Sequence, residues 1–80
     1  MNVTVTIRRR PDIADPHGAT VARALGDLGH AGVRSLRIDR TIHLEVDGSD
    51  PDDVRRRVAE MCEQLLANPV LEDYEITVDT

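Results

Sequence analysis

An α+β fold, with a four-stranded antiparallel sheet carrying two helices on one face, is predicted by three features of this sequence. Both ends of the chain alternate polar and apolar residues with period two, at residues 2–9 and again from Tyr74 to Asp79. Two Asp-Pro pairs, Asp15-Pro16 and Asp50-Pro51, each precede a stretch with apolar residues at helical spacing. Between the helical stretches lies a second alternating region, residues 33–47, long enough for two strands.

In the first strand Val3, Val5 and Ile7 share a face opposite Thr4, Thr6 and Arg8, and Pro11-Asp12 ends it. Asp15 then caps a helix whose first position is Pro16, where the missing N–H costs nothing. Val21, Ala24, Leu25 and Leu28 give that helix its apolar stripe, and Gly29 ends it as a left-handed cap. Val33–Arg40, with Leu36 and Ile38 on one face, and then Ile42, Leu44 and Val46 read as a hairpin turning near Asp39-Arg40. That turn carries no Asn-Gly signal.

Gly48-Ser49-Asp50-Pro51 repeats the capping device, with Asp53 placed as a capping-box acid. The second helix is predicted from residue 51 to about 67, with Val54, Val58, Met61 and Leu65 as its stripe and Cys62 and Leu66 beside them. Asn68, in a left-handed conformation, and Pro69 end it before the last strand. The order strand, helix, strand, strand, helix, strand is the ferredoxin-like βαββαβ pattern. A seventeen-residue helix spans about 25 Å and a seven-residue strand about 23 Å, so the two layers match. The sheet's other face, from Thr4, Thr6, Arg37, His43, Glu45, Glu75 and Thr77, is polar and open for docking.

Eighty residues make one domain, 1–80, in which roughly 60% of the unfolded surface can be buried, so an oligomer or a host complex is expected. One cysteine excludes an internal disulfide framework, no run approaches a membrane span, and Arg8-Arg9-Arg10 is followed by Pro11-Asp12 where an export signal needs apolar residues; a cytoplasmic protein is expected. Fifteen acids against ten bases, all arginine, give a net charge of −5, which argues against a nucleic-acid partner. Arg55-Arg56-Arg57 is neutralised by Asp52, Asp53 and Glu60 at helical spacing.

The residues with reactive potential all have structural readings. Cys62 lies on an apolar stripe with no cation spaced to lower its pKa, so it reads as core. His17, His30 and His43 show no metal-ligand spacing, and neither Ser35 nor Ser49 sits in a nucleophile elbow. Gly18, in the first turn of a helix, costs up to about 1 kcal/mol against alanine, which points to close approach by another segment or another chain.

Pro11 to Gly18, Ala24-Leu25, Leu28-Gly29, Arg37, Met61-Cys62, Leu65 to Val70 and Tyr74-Glu75-Ile76 together resemble the PurS subunit family of phosphoribosylformylglycinamidine synthase. The resemblance covers nearly the whole chain and is most specific around Asp15-Pro16 and Asn68-Pro69. It implies a small non-catalytic subunit of a purine-biosynthetic amidotransferase, a homodimer or homotetramer that binds no cofactor itself. It would bridge a PurQ-type glutaminase subunit, which releases ammonia, and a PurL-type synthetase subunit, which uses ATP and Mg to activate formylglycinamide ribonucleotide. Where the family often has glycine and lysine after the arginine at Arg37, this chain has Asp39 and Arg40, and a commonly found glutamine is replaced by His17.

The residues expected to meet partners are Arg10, Asp15, His17, Gly18, Arg37, Arg40, Asn68 and Tyr74. An ACT-like module binding an amino acid shares the element order and is the alternative reading. It would favour a Gly-rich first loop, where this chain has Pro11-Asp12-Ile13-Ala14-Asp15. A metal chaperone of the same architecture needs a Cys-x-x-Cys loop, which the sequence lacks.

Overall fold

A computed structural model describes residues 1–79. Strand β1 (Asn2–Arg9) is the centre of a three-stranded antiparallel sheet, flanked by β2 (Arg40–Glu45) and β3 (Glu72–Asp79). Helix α1 (Pro16–Asp27) follows β1, and helix α2 (Pro51–Met61) follows β2 and continues into a π-helical turn, Cys62–Leu66. Val3 pairs with Leu44 and Val78, Val5 with Ile42 and Ile76, and Ile7 with Tyr74. The period-two apolar set of all three strands therefore lies on one face, and Val3, Val5 and Ile7 are fully buried there.

Both Asp-Pro starts form as the sequence predicts. Asp15 accepts a hydrogen bond from the Gly18 amide and Asp50 from the Asp52 amide, with proline at the first helical position of each helix. Asp53 serves Arg56 and Arg57 as an ion partner, at 2.6 and 3.2 Å. Helix α1 closes with Gly29 at φ +97°; its amide donates to Gly26 O and that of His30 to Leu25 O, a glycine-dependent C-terminal motif.

Four parts of the sequence reading are corrected. Residues 33–39 form no strand: they have no regular secondary structure and no ladder partner among the described residues, so the sheet has three strands and the hairpin is not closed. Alternation alone predicted that strand, but the Ile38 amide is taken by the Asp15 carboxylate and Arg37 is held at the end of β1. Secondly, only α2 covers the sheet. Helix α1 makes no extensive contact with the strands or with α2 and leaves Leu28 75% exposed.

Thirdly, the π turn changes the register of the second helix. A π turn holds more residues than an α turn, so Leu66 and Ala67 come to face the sheet while Leu65, placed on the stripe by α-spacing, is 83% exposed and Met61 37%. The buried stripe is Val54, Val58 and Cys62. Finally, Asn68 is not left-handed; no non-glycine residue among those described has positive φ. Its side-chain oxygen instead accepts from the Val70 amide in a turn, and Ala67 before it is already extended.

The outcome is an elongated molecule of 50 × 24 × 15 Å whose 16.1 Å radius of gyration exceeds the about 12 Å of a compact 80-residue domain. The polar sheet face holds Thr4, Thr6, His43, Glu45, Glu75 and Thr77 as predicted, but without Arg37. No helix is long and apolar enough to cross a membrane among the described residues.

With so small a core, graded truncation is expected to show steep losses. Ile7→Val should lower unfolding stability by about 0.5–1.5 kcal/mol and Ile7→Ala by about 2–5 kcal/mol, read from denaturant midpoints at constant slope.

Candidate functional site

The end of β1, the start of α1, the start of β2 and the start of β3 meet at one end of the sheet, where the antiparallel order puts them. All eight residues predicted to meet partners lie there, within one hydrogen-bonded network or on its border. Arg10 ties β1 to the loop before β3: its amide donates to Leu71 O at 2.9 Å, its guanidinium to Pro69 O at 2.8 Å, and Asp73 is 3.4 Å away. Arg37 donates to Arg9 O at 2.7 Å and to Arg10 O at 3.3 Å, closing the carbonyls that β1 presents where it leaves the sheet.

Asp15 is the junction. One carboxylate oxygen accepts the Gly18 amide at 3.0 Å, and the other accepts the Ile38 amide at 3.0 Å. These two backbone hydrogen bonds hold the Asp15 carboxyl below its ordinary pKa, Gly18's first and Ile38's second, with Arg37 and Arg9 adding to them against a small desolvation effect. Gly18 explains itself here: a Cβ at that position would lie 2.6 Å from the Asp15 carboxylate and 2.7 Å from Leu36 O. The close neighbour is thus the following segment of the same chain.

On the other side of the junction Arg40 donates to both Glu72 carboxylate oxygens, at 2.9 and 3.0 Å, and Glu72 also accepts the Asn68 amide at 2.9 Å. The Asn68 amide is the main cause of the lowered Glu72 pKa, with Arg40 and Arg9 contributing. Asn68 O accepts from Leu71 and Glu72, so the turn before β3 is tied at every residue that bends. Tyr74 donates to Glu63 at 2.8 Å, which, with desolvation, raises the phenol's pKa. His17 is exposed at the rim of a small cavity of about 140 Å³ lined also by Ile7, Arg9, Asp15, Ile38, Arg40 and Glu72.

Glu72 and Arg9 are members of this network that the sequence reading missed. The available signal was a carboxylate four residues beyond a helix-ending Asn68 and one step before strong alternation. Cys62 is buried, and burial, followed by Glu63, pushes its thiol pKa up, as for a packed core cysteine. No cluster of metal ligands occurs among the described residues. The Asp15 and Glu72 carboxylates are held ionised as acceptors, and Arg10, Arg37 and Arg40 are engaged as donors. Such an arrangement fixes loops in place and presents their outer atoms for binding.

The phosphoribosylformylglycinamidine (FGAM) synthase model named PurS matches residues 2–80. The chain belongs to the PurS family. PurS is a subunit of phosphoribosylformylglycinamidine synthase, in purine biosynthesis. The chain is similar to the PurS subunit of Methanocaldococcus jannaschii, with 40% identity over 76 residues, covering 95% of this chain and 92% of that one. Its fold is similar to a Bacillus subtilis PurS structure at a TM-score of 0.88 and 37% identity, over 99% of this chain and 98% of that one. It is also similar to a chain of the Thermotoga maritima PurLQS structure, at a TM-score of 0.82 and 34% identity, over 95% and 93% of the two chains.

Two outcomes are expected from this network. Gly18→Ala gains up to about 1 kcal/mol of helix propensity but must displace the Leu36 carbonyl, at a cost of about 1–3 kcal/mol, so thermal unfolding should show net destabilisation. Because Asp15 and Glu72 have depressed pKa values, their contribution is present above the ordinary carboxylate range of about 4 and is lost as pH falls through the folded values. Asp15→Asn keeps the cap but turns an amide donor toward the Ile38 N–H, so it should lower stability at neutral pH and flatten the acid limb of a stability-versus-pH curve.

Proposed function

We propose that this chain is the small assembly subunit of a glutamine- and ATP-dependent phosphoribosylformylglycinamidine synthase, acting by binding and carrying no reacting residue. It bridges a PurQ-type glutaminase and a PurL-type synthetase so that ammonia released from glutamine reaches the synthetase without escaping. ATP and Mg are used by the synthetase partner, and this chain binds no cofactor of its own. It works in the cytoplasm as a homodimer or homotetramer.

The observation that carries this reading is the likeness along residues 2–80 to PurS chains, one of them in PurLQS. The site geometry agrees with it: Arg10, Arg37, Arg40 and Asn68 are exposed at the end of the sheet, and their side chains tie the segments that meet there to one another.

Reconstitution tests the proposal. Mixed with glutaminase and synthetase subunits, this chain is expected to raise glutamine-dependent amidation of formylglycinamide ribonucleotide by about tenfold or more over the mixture without it. Unchanged glutamine-dependent activity on its omission would overturn the reading. Calorimetric titration of the isolated chain with glutamine is expected to give no binding heat, and saturable binding would favour an amino-acid-binding module instead.

A further inference from the structure

We propose that the small cavity bordered by Arg9, Arg40 and His17 binds one small oxyanion, a phosphate or a carboxylate group. The starting observation is Arg9. In the register of β1 it continues the row of Val3, Val5 and Ile7, so its side chain leaves the sheet on the buried face, and the residue is half-buried. Its neighbours Arg8, Arg10, Arg37 and Arg40 each donate to a carbonyl or a carboxylate. The Arg9 guanidinium has no hydrogen-bond or ion-pair partner among the described residues. A cation drawn partly out of water without a partner is costly, and the cavity it borders is where a partner fits.

The two carboxylates that border the same cavity do not fill that role. Glu72 stands opposite Arg9 across the β1–β3 ladder, but it accepts from Arg40 through both oxygens and from the Asn68 amide. Asp15 gives one oxygen to the Gly18 amide and the other to the Ile38 amide. Every one of these four oxygens is thus already an acceptor. Those backbone amides are the main cause of the depressed pKa of each carboxyl, and Arg9 adds only a longer-range Coulombic part.

Donors are therefore in surplus. Arg9 has all five of its N–H groups free, and Arg40 uses only Nη2, at Glu72. His17, in the first turn of α1, stands exposed at the rim, where the helix N-terminus adds a partial positive charge. Formal charge at the cavity is balanced by Asp15 and Glu72, so what selects the occupant is unmatched donors, and an oxyanion offers acceptors alone. The volume of about 140 Å³ exceeds the about 10–15 Å³ that a single water needs, leaving room for an ion with several oxygens. Bound there, it would join β1, β2 and the start of α1.

NMR titration of the isotope-labelled full chain tests this without any partner subunit. Inorganic phosphate and, separately, sodium acetate are added at constant ionic strength. The Arg9 Nε–H and His17 amide signals are expected to move saturably in the millimolar range, while those of Arg8 and Arg23 stay in place. Saturation by phosphate assigns a free phosphate as the occupant; saturation by acetate alone assigns a carboxylate side chain. Arg9→Gln is expected to weaken binding at least tenfold, and Arg23→Gln, on the exposed side of α1, to leave it unchanged. Shifts that grow linearly with both salts, or that spread equally over all the arginines, mean that the cavity holds water only and overturn the proposal. So does a folded Arg9→Gln chain that binds as the unaltered one does.

Discussion

A single carboxylate joins two parts of the molecule that are apart in sequence. Asp15 accepts the amide of Gly18 with one oxygen and that of Ile38 with the other, so the start of α1 and the entry to β2 are fixed relative to each other through a few atoms. Hydrogen bonds to an ionised group are about twice as strong as neutral ones, and both here are to backbone amides that would otherwise lack partners. Gly18 is the steric condition for this arrangement, since any side chain there would meet the same carboxylate and the Leu36 carbonyl. Without the Asp15 carboxylate, the start of α1 and the entry to β2 lose both of these hydrogen bonds.

Much of the fold was legible because it rests on local rules. Val3, Val5 and Ile7 are buried where period two puts them, and Asp15-Pro16, Asp50-Pro51 and Gly29 mark helix ends by backbone chemistry that needs no tertiary context. The failures share a cause as well. Alternation at Val33–Arg40 specifies a strand but not its partner, and Asp15 had already taken the Ile38 amide. Leu65 fits the α-helical stripe, but a π turn is set by what packs beneath Cys62 and Ala67, which spacing does not encode. Asn68 satisfies its turn with its side chain, an outcome equally compatible with its residue type.

The candidate site was legible as a set of residues but not as a network. Arg10, Arg37 and Arg40 are far apart in sequence, and only the antiparallel order brings the exit of β1 beside the entries to β2 and β3. Glu72 belongs to no motif, yet it joins Arg40 to the Asn68 turn and thereby fixes the loop that carries Pro69 and Val70. This is how a chain with almost no aromatic residue builds a rigid, recognisable surface. It spends its arginines on carbonyls and carboxylates inside the network, so backbone geometry and not side-chain bulk defines what a partner meets.

Those arginines also separate the two edges of the sheet. Arg55 donates to Ile76 O on β3, so that edge carries a bulky cation where another strand would have to approach. The β2 edge has no further strand beside it among the described residues, and it adjoins residues 33–39, whose Ile38 amide is taken by Asp15. Seven buried residues form the core among those described, and Leu28, Val33, Met61, Leu65 and Val70 are exposed outside it. A domain this small leaves little stability in reserve. Any partner that covers the exposed apolar residues would add to that stability by mass action, so binding and folding of such a small subunit are linked.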